Sequence, residues 1–290
     1  MSNSKILVDI KGGFGNQIFQ YCFANYLKSR GYKVFVNTEY FKFRNKDTQD
    51  NTYRTLILNE KNFNLKKINR IYLKFFKINK KINESKKIKK LFKNFNNPFY
   101  IKLKDSNYDE KYLETKYVHL DGYWQNVDYL FSQKDFLVDS LKKNKTLANS
   151  IKKIPEENTV MLIVRRGDYV EMKEDLSIDF YKKCLEVLNN RIANYRLNIF
   201  TDDEDWVKSN SIFSIAEKIY GPEDEPEGVI RIFSKMLEHK HFVIGNSTFS
   251  LLSAVISQNK DSLILVADPW FKNKKKESIY IDGSIKIPNI

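Results

Sequence analysis

Arg165-Arg166-Gly167-Asp168 has the side chains to grip a phosphate. A guanidinium presents a planar fork of N–H donors that can bond two phosphate oxygens at once. Gly167 permits a tight turn, and Asp168 can orient an arginine or accept hydrogen bonds from a base or a sugar. These residues directly follow Thr159-Val160-Met161-Leu162-Ile163-Val164. That continuous apolar run, rich in β-branched residues, reads as a buried strand of a parallel sheet. Ligands of open α/β sheets bind just past the carboxyl ends of strands, which is where both arginines stand. The same residues would also form a strand-end salt-bridge cluster at the surface, and by themselves they leave both readings open.

Other stretches carry chemistry of the same kind. Lys11-Gly-Gly-Phe-Gly-Asn-Gln17 is a glycine-rich turn able to bring backbone N–H groups and the Asn16 side chain close to a ligand. It lacks the full dinucleotide-binding spacing. Asn246-Ser-Thr-Phe-Ser250 is hydroxyl-rich and leads into a helix, whose unpaired first N–H groups form an anion site. Tyr117-Val-His-Leu-Asp-Gly-Tyr-Trp-Gln125 reads as a strand with an aromatic-plus-amide tip, suited to a sugar face or to burial of Trp124 beside a turn. In Thr201-Asp-Asp-Glu-Asp-Trp206 the acids are read as a helix cap and first turn rather than as a metal-binding pair, Asp203 and Asp205. His119, His239 and His241 are scattered, with no third ligand for a metal beside the last two.

The elements that must position these groups alternate. Lys5 to Ile10 predicts a strand, Ile18 to Arg30 a helix with Ile18, Phe19, Cys22, Phe23, Tyr26 and Leu27 on its apolar face, and Lys33 to Val36 a second strand. Gly31 suits the helix stop. Asp128 to Ser150 reads as helical. Beyond it the pattern predicts strands at Leu197–Phe200, His241–Gly245 and Ser262–Ala267, the last taken as the final core strand. Helices are expected over Ile178–Arg191, Val229–Leu237 and Leu251–Ser257. This is the order of a doubly wound α/β protein, divided here into residues 1–150 and 151–290.

With 290 residues and 14% aromatics, the chain can form one large or two ordinary cores. Two cysteines exclude a disulfide framework or a cysteine-based zinc site and fit a reducing compartment. No signal peptide and no spanning segment is read, so the expectation is a cytoplasmic protein. The +14 net charge is local. Leu65–Lys93 holds twelve Lys and Arg residues and a single acid, Glu84, so roughly +11 resides there. This segment reads as one or two amphipathic helices, either a solvated face or a contact with an anionic membrane. Nucleic-acid binding is the third reading, and no nucleic-acid motif accompanies it.

The chain resembles the bacterial α-1,2-fucosyltransferases of glycosyltransferase family 11 over nearly its full length. The likeness lies in Gly12-Gly-Phe-Gly-Asn-Gln-Ile-Phe-Gln-Tyr-Cys-Phe-Ala24, Gly122-Tyr-Trp-Gln125, Val164-Arg-Arg-Gly-Asp-Tyr-Val170 with Ile178-Asp-Phe-Tyr-Lys-Lys183, Phe200-Thr-Asp-Asp203 and Ile244-Gly-Asn-Ser-Thr-Phe-Ser250. Five motifs in order are far more specific than any one.

The resemblance implies two Rossmann-like halves facing a cleft, the GT-B arrangement. It implies metal-independent transfer of L-fucose from GDP-β-L-fucose, with inversion, to a galactose-terminated glycan or lipid-linked oligosaccharide of a bacterial surface polysaccharide. It also implies that no cofactor is needed; that nucleic acid is not a partner is read from the residues, since the aromatics of the basic segment sit at apolar helical spacing. Carried onto this sequence, Arg165 and Asn16 would be catalytic, with Arg165 on the β-phosphate. Gly13, Phe14, Gly15, Arg166, Asp168, Asn246, Ser247, Thr248, Phe249 and Ser250 would complete the donor site, Asp168 near the guanosine. Tyr123, Trp124 and Gln125 would meet the acceptor. The basic segment 65–93 would hold the enzyme at the inner face of the cytoplasmic membrane. The chain departs from the family at Ile163, where a histidine is usual, and at Leu251 and Leu252, where tryptophans are frequent.

Overall fold

The computed structural model describes residues 4–42, 55–85, 100–105, 108–223, 226–272 and 277–289. Their contacts divide into two units, one running to Gln125 and the other from Asn126, except that Gly13–Gly15 and residues 55–57 group with the second.

The first unit is a five-stranded parallel sheet. Its strands are β1 (Lys5–Asp9), β2 (Lys33–Asn37), β3 (Lys66–Lys67), β4 (Tyr100–Leu103) and β5 (Tyr117–Leu120), in the order β3-β2-β1-β5-β4. Lys5 pairs with Lys33 on one side and Tyr117 on the other. Ile6, Leu7 and Val8 are fully buried, so both faces of β1 are covered, as a parallel sheet requires. Helix α1 (Phe14–Ser29) is buried around most of its girth. It starts a turn earlier than the periodicity suggests because the reversal is compressed into Gly12, at φ +78°. Helix α2 (Arg70–Glu84) is capped by Asn69, whose side chain accepts from the Tyr72 N–H. Its Leu73 and Phe76 pack with Leu7, Ile68 and Tyr100.

The second unit is a six-stranded parallel sheet. Helices α3 (Val127–Ser132), α4 (Lys134–Leu141) and α5 (Lys145–Lys152) lead into it. Its strands are β6 (Thr159–Val164), β7 (Arg196–Thr201), β8 (Ala216–Tyr220), β9 (His241–Gly245), β10 (Ile264–Asp268) and β11 (Ile285–Pro288), in the order β11-β10-β9-β6-β7-β8. Between them lie α6 (Gly167–Glu171), α7 (Ile178–Arg191), α8 (Glu204–Ser209), α9 (Pro226–Met236) and α10 (Thr248–Ser257). Every residue of β6 is buried.

Both sheets reverse direction beside their first strand, between β1 and β5 and between β6 and β9. Loops at such switch points splay apart and leave a crevice. The Gly12 and Gly122 turns flank the first, and the Arg165 and Asn246 loops flank the second.

Several expectations need correction. Strands β3, β4, β8 and β11 carry no strong period-2 signal, being short or at edges, and β11 makes β10 the penultimate strand. The basic segment is not helical from its start, because Lys66-Lys67 joins β2 as an edge strand. Residues 86–93 of that segment lie outside the described residues, as do 43–54 and 94–99. Cys22 and Cys184 are both buried, which pushes each thiol pKa up.

Candidate functional site

In the second unit the parallel pairing of β6 with β9 brings two loops side by side. The Tyr169 hydroxyl fastens them by donating to the Asn246 carbonyl at 3.3 Å. Arg165 leaves the end of β6 and lies between two carboxylates. Its Nη2 donates to Asp168 Oδ1 at 2.5 Å, and its Nη1 stands 2.5 Å from Asp202 Oδ2. The second contact is an ion pair out of line for a hydrogen bond, and Asp202 Oδ2 is buried without a hydrogen-bond partner. Asp202 and Asp168 together hold the guanidinium from two sides. Burial works against the Arg165 charge, but Asp202, Asp168 and Tyr169 outweigh it and raise the pKa. Asp202 also accepts the Arg166 N–H at 2.8 Å. Gly167 makes room for it, since a Cβ there would fall 2.7 Å from Asp202 Oδ2.

Arg166 turns to other partners. Its Nε meets Asp203 at 3.0 Å, its Nη1 meets Asp175 at 3.1 Å, and its guanidinium lies 4.4 Å from the Trp206 ring centre. Asp203 caps α8 by accepting the Trp206 N–H at 3.0 Å. The acids after β7 are thus a cap and arginine partners, and among the described residues no three His, Cys, Asp or Glu side chains gather as metal ligands.

Across the switch point, Ser247 and Thr248 open α10. Asn246 is buried, its Nδ2 donating to the Glu174 carbonyl at 2.8 Å while its Oδ1 has no partner. Ser250 is fully buried, and its hydroxyl bonds back to the Ile244 and Ser247 carbonyls, which makes it part of the loop's frame. Gly13–Gly15 belong here by contact. A Cβ on Gly15 would lie 2.7 Å from the Thr248 backbone, so only glycine fits this approach. Phe14 packs edge-on to Phe233 and Phe249, at 5.1 and 6.0 Å between ring centres. Ile163 is buried, and a Cβ on Gly245 would lie 3.2 Å from its methyl group, so it serves packing.

The first unit carries a cluster of inverse design. Asp121, just past β5, accepts from Lys11 Nζ at 2.5 Å and Lys102 Nζ at 2.8 Å. Burial would raise its pKa, but these two lysines overcome the effect and hold it well below the usual carboxylate range. Lys11 Nζ also lies 5.2 Å from the Tyr123 ring centre. Beside them, Asp9 accepts from Asn37 at 2.8 Å and pairs with His119 Nε2 at 2.8 Å, while His119 Nδ1 contacts the Tyr100 hydroxyl at 3.1 Å.

Two buried glutamines of α1 fasten the turns. Gln17 donates to the Gly12 carbonyl, and Gln20 accepts the Lys11 N–H and donates to the Gly122 carbonyl. Of the acceptor candidates only Tyr123 is well exposed, at 39%. Trp124 is 4% exposed and stacks on Phe23 at 4.5 Å, which assigns it to the core. Gln125 donates to Asn16 Oδ1 at 2.6 Å, so these two residues brace each other.

Sequence reasoning missed Asp9, Lys102, Asp121, Gln17 and Gln20. The glutamines lie inside the quoted N-terminal motif, where a buried amide could have been suspected. Lys102 has no signal, because its partner belongs to another strand.

The sequence matches the profile of Glycosyl transferase family 11 over residues 5–287. It is 27% identical to the α-1,2-colitosyltransferase of Escherichia coli, covering 95% of each chain. It is 25% identical to the O-antigen biosynthesis glycosyltransferase WbnK of Escherichia coli, covering 96% of this chain and 99% of that one. Among solved structures, a mutant of Arabidopsis thaliana FUT1 in complex with GDP gives a TM-score of 0.45 at 11% identity, over 90% of this chain and 70% of that one. NodZ α-1,6-fucosyltransferase soaked with GDP-fucose gives 0.45 at 10%, over 87% and 92%. The protein is a glycosyltransferase, and the chain belongs to glycosyltransferase family 11.

Proposed function

We propose that this enzyme transfers L-fucose from GDP-β-L-fucose, with inversion, to the 2-hydroxyl of a galactose-terminated glycan, in the assembly of a bacterial surface polysaccharide. The observation that carries this reading is the Arg165 guanidinium, oriented by Asp168 and Asp202 at the second sheet's switch point beside the start of α10. In the reaction the acceptor hydroxyl oxygen bonds the anomeric carbon and releases its proton to water, while the bond to the diphosphate oxygen breaks and its electron pair stays on that oxygen. Arg165 and the first N–H groups of α10 suit the growing negative charge, the kind of fixed polarity that lowers such a barrier. Tyr123 suits the acceptor, since an exposed ring packs against the apolar face of a pyranose. A lipid-linked oligosaccharide is the acceptor form that fits polysaccharide assembly.

Colitose is the second donor reading, favoured by the printed activity of the 27% identical relative. Colitose is L-fucose without its 3-hydroxyl, and a site built to bond that hydroxyl rejects the deoxy sugar strongly. The test is transfer and hydrolysis with GDP-fucose, GDP-colitose and UDP-sugars on a galactoside, with the product linkage read by NMR. Preference for GDP-colitose replaces fucose as the donor, and turnover of UDP-sugars alone overturns both readings. Activity is expected to persist in excess EDTA, because Asp202 and Asp203 serve as arginine partners and a helix cap, and Glu204 pairs with Lys208. Loss restored by manganese would reverse that expectation.

A further inference from the structure

We propose that the outward face of α2 is a docking surface for an anionic phospholipid membrane. The helix has two unlike sides. Leu73, Phe76 and Asn79 face inward and are buried. Arg70, Ile71, Lys74, Lys77, Ile78 and Lys81 are all exposed on the opposite side. Ile71 is 79% exposed and Ile78 57%. They stand seven residues apart, two turns along one stripe, bordered on one flank by Arg70, Lys74, Lys77 and Lys81. Lys66 and Lys67 of the edge strand β3, also exposed, add two charges just before the helix. Lys77 pairs with Glu39 at 2.5 Å. Among the described residues, Lys66, Lys67, Arg70, Lys74 and Lys81 have no ion-pair partner.

A face meant only for water has no use for two projecting isoleucines. A basic stripe bordered by projecting aliphatic side chains matches the interface of an anionic bilayer, where cations meet headgroups and the aliphatic groups enter the acyl boundary. Each cation held near such a surface strengthens binding roughly fivefold. Nucleic acid fits less well, because the aromatics that could stack on bases are turned inward. Tyr72 lies against Phe35, Phe75 against Tyr117 and Phe76 against Tyr100. These same contacts hold α2 to the sheet, so docking needs no unfolding. Among the described residues no helix is long and apolar enough to cross a membrane, so the contact is peripheral. The inference rests on α2 and β3, and stands whichever sugar the enzyme transfers.

The test is co-sedimentation of the full chain with vesicles of phosphatidylcholine alone and of phosphatidylcholine rich in phosphatidylglycerol, at low and high salt. The expected result is binding to the anionic vesicles only, weakened by salt. Lys74→Glu with Lys81→Glu should reduce it by more than tenfold. Ile71→Ser with Ile78→Ser should weaken it several-fold while leaving the salt dependence in place. Both variants should keep wild-type transfer to a soluble acceptor, showing that they fold. The proposal is overturned if wild-type protein ignores anionic vesicles at low salt, or if charge reversal leaves binding intact. It is also overturned if a duplex oligonucleotide or polyglutamate binds as tightly as the vesicles without sensitivity to the isoleucine changes.

Discussion

The ends of the two sheets carry mixed-charge clusters of opposite construction. In the second unit a cation, Arg165, lies between the carboxylates of Asp168 and Asp202. In the first, a carboxylate, Asp121, lies between the ammonium groups of Lys11 and Lys102. Each central group is fixed in place and in charge, but the consequences differ. A guanidinium has five donors in a rigid fork, more than its contacts with Asp168 and Asp202 take up, so donors remain for a ligand. Asp121 gives both oxygens to its lysines and becomes a tie between β5, β4 and the Lys11 turn. On the proposed function, clusters alike in composition serve as a gripping site in one unit and a brace in the other, and the brace presents Tyr123.

The largest expected effect is at the gripping cluster. Arg165→Ala should lower transfer by about 10²–10³-fold, the usual loss for one donor to a developing anion. It should also remove thermal stabilisation by GDP while leaving a cooperative unfolding transition. Wild-type turnover in this variant would remove the distinction between the clusters.

Gly15→Ala comes next. Its Cβ would meet the Thr248 backbone at 2.7 Å, and the shift of about 1 Å needed to relieve that contact costs roughly 10²-fold in rate near a reacting centre. Steady-state kinetics should show the loss in kcat/KM, with a far smaller change in unfolding temperature.

Asp121→Asn should act on stability rather than on donor chemistry, by about 1.5–3 kcal/mol, the range for hydrogen bonds to charged groups. The sign with pH follows from the lowered pKa of Asp121. Its contribution is complete above the unfolded value of about 4 and is lost as pH falls through the folded value. Urea unfolding should therefore separate wild type from variant at neutral pH and bring them together in strong acid. A pH-independent difference would mean that the lysines are not the cause.

Tyr123→Ala should be the mildest, raising the acceptor KM roughly three- to tenfold, the scale of a ring contact, with donor hydrolysis unchanged. An unaltered acceptor KM would leave the first cluster a brace with nothing to present.

The fold was legible where one element buries one clear pattern. The apolar run Thr159–Val164 became β6, and Ile178–Arg191 became α7 without displacement. Lys66-Lys67 could not be read as a strand, because two exposed lysines carry no period-2 pattern and join the sheet only through pairing with Phe35 and Val36. The candidate site was legible as motifs but not as roles. Arg165 and Arg166 are adjacent and chemically identical, yet one faces the switch point and the other ties Asp203 and Asp175.

What the sequence determined by itself is local. The strand-helix alternation, the glycine turn, the Arg165 motif, the Asn246 loop and the basic segment are all written in neighbouring residues, because backbone periodicity and turn chemistry act over a few positions. Tertiary structure decided which of two like residues does which task. Tyr123 is exposed while Trp124 fills the core, and Asp202 holds Arg165 while Asp203 caps a helix. Leu73 and Phe76 bury while Ile71 and Ile78 project. The physical reason is that each choice depends on partners far along the chain. Lys11 finds Asp121 across 110 positions, and only the stacking of parallel strands brings such groups within reach of each other.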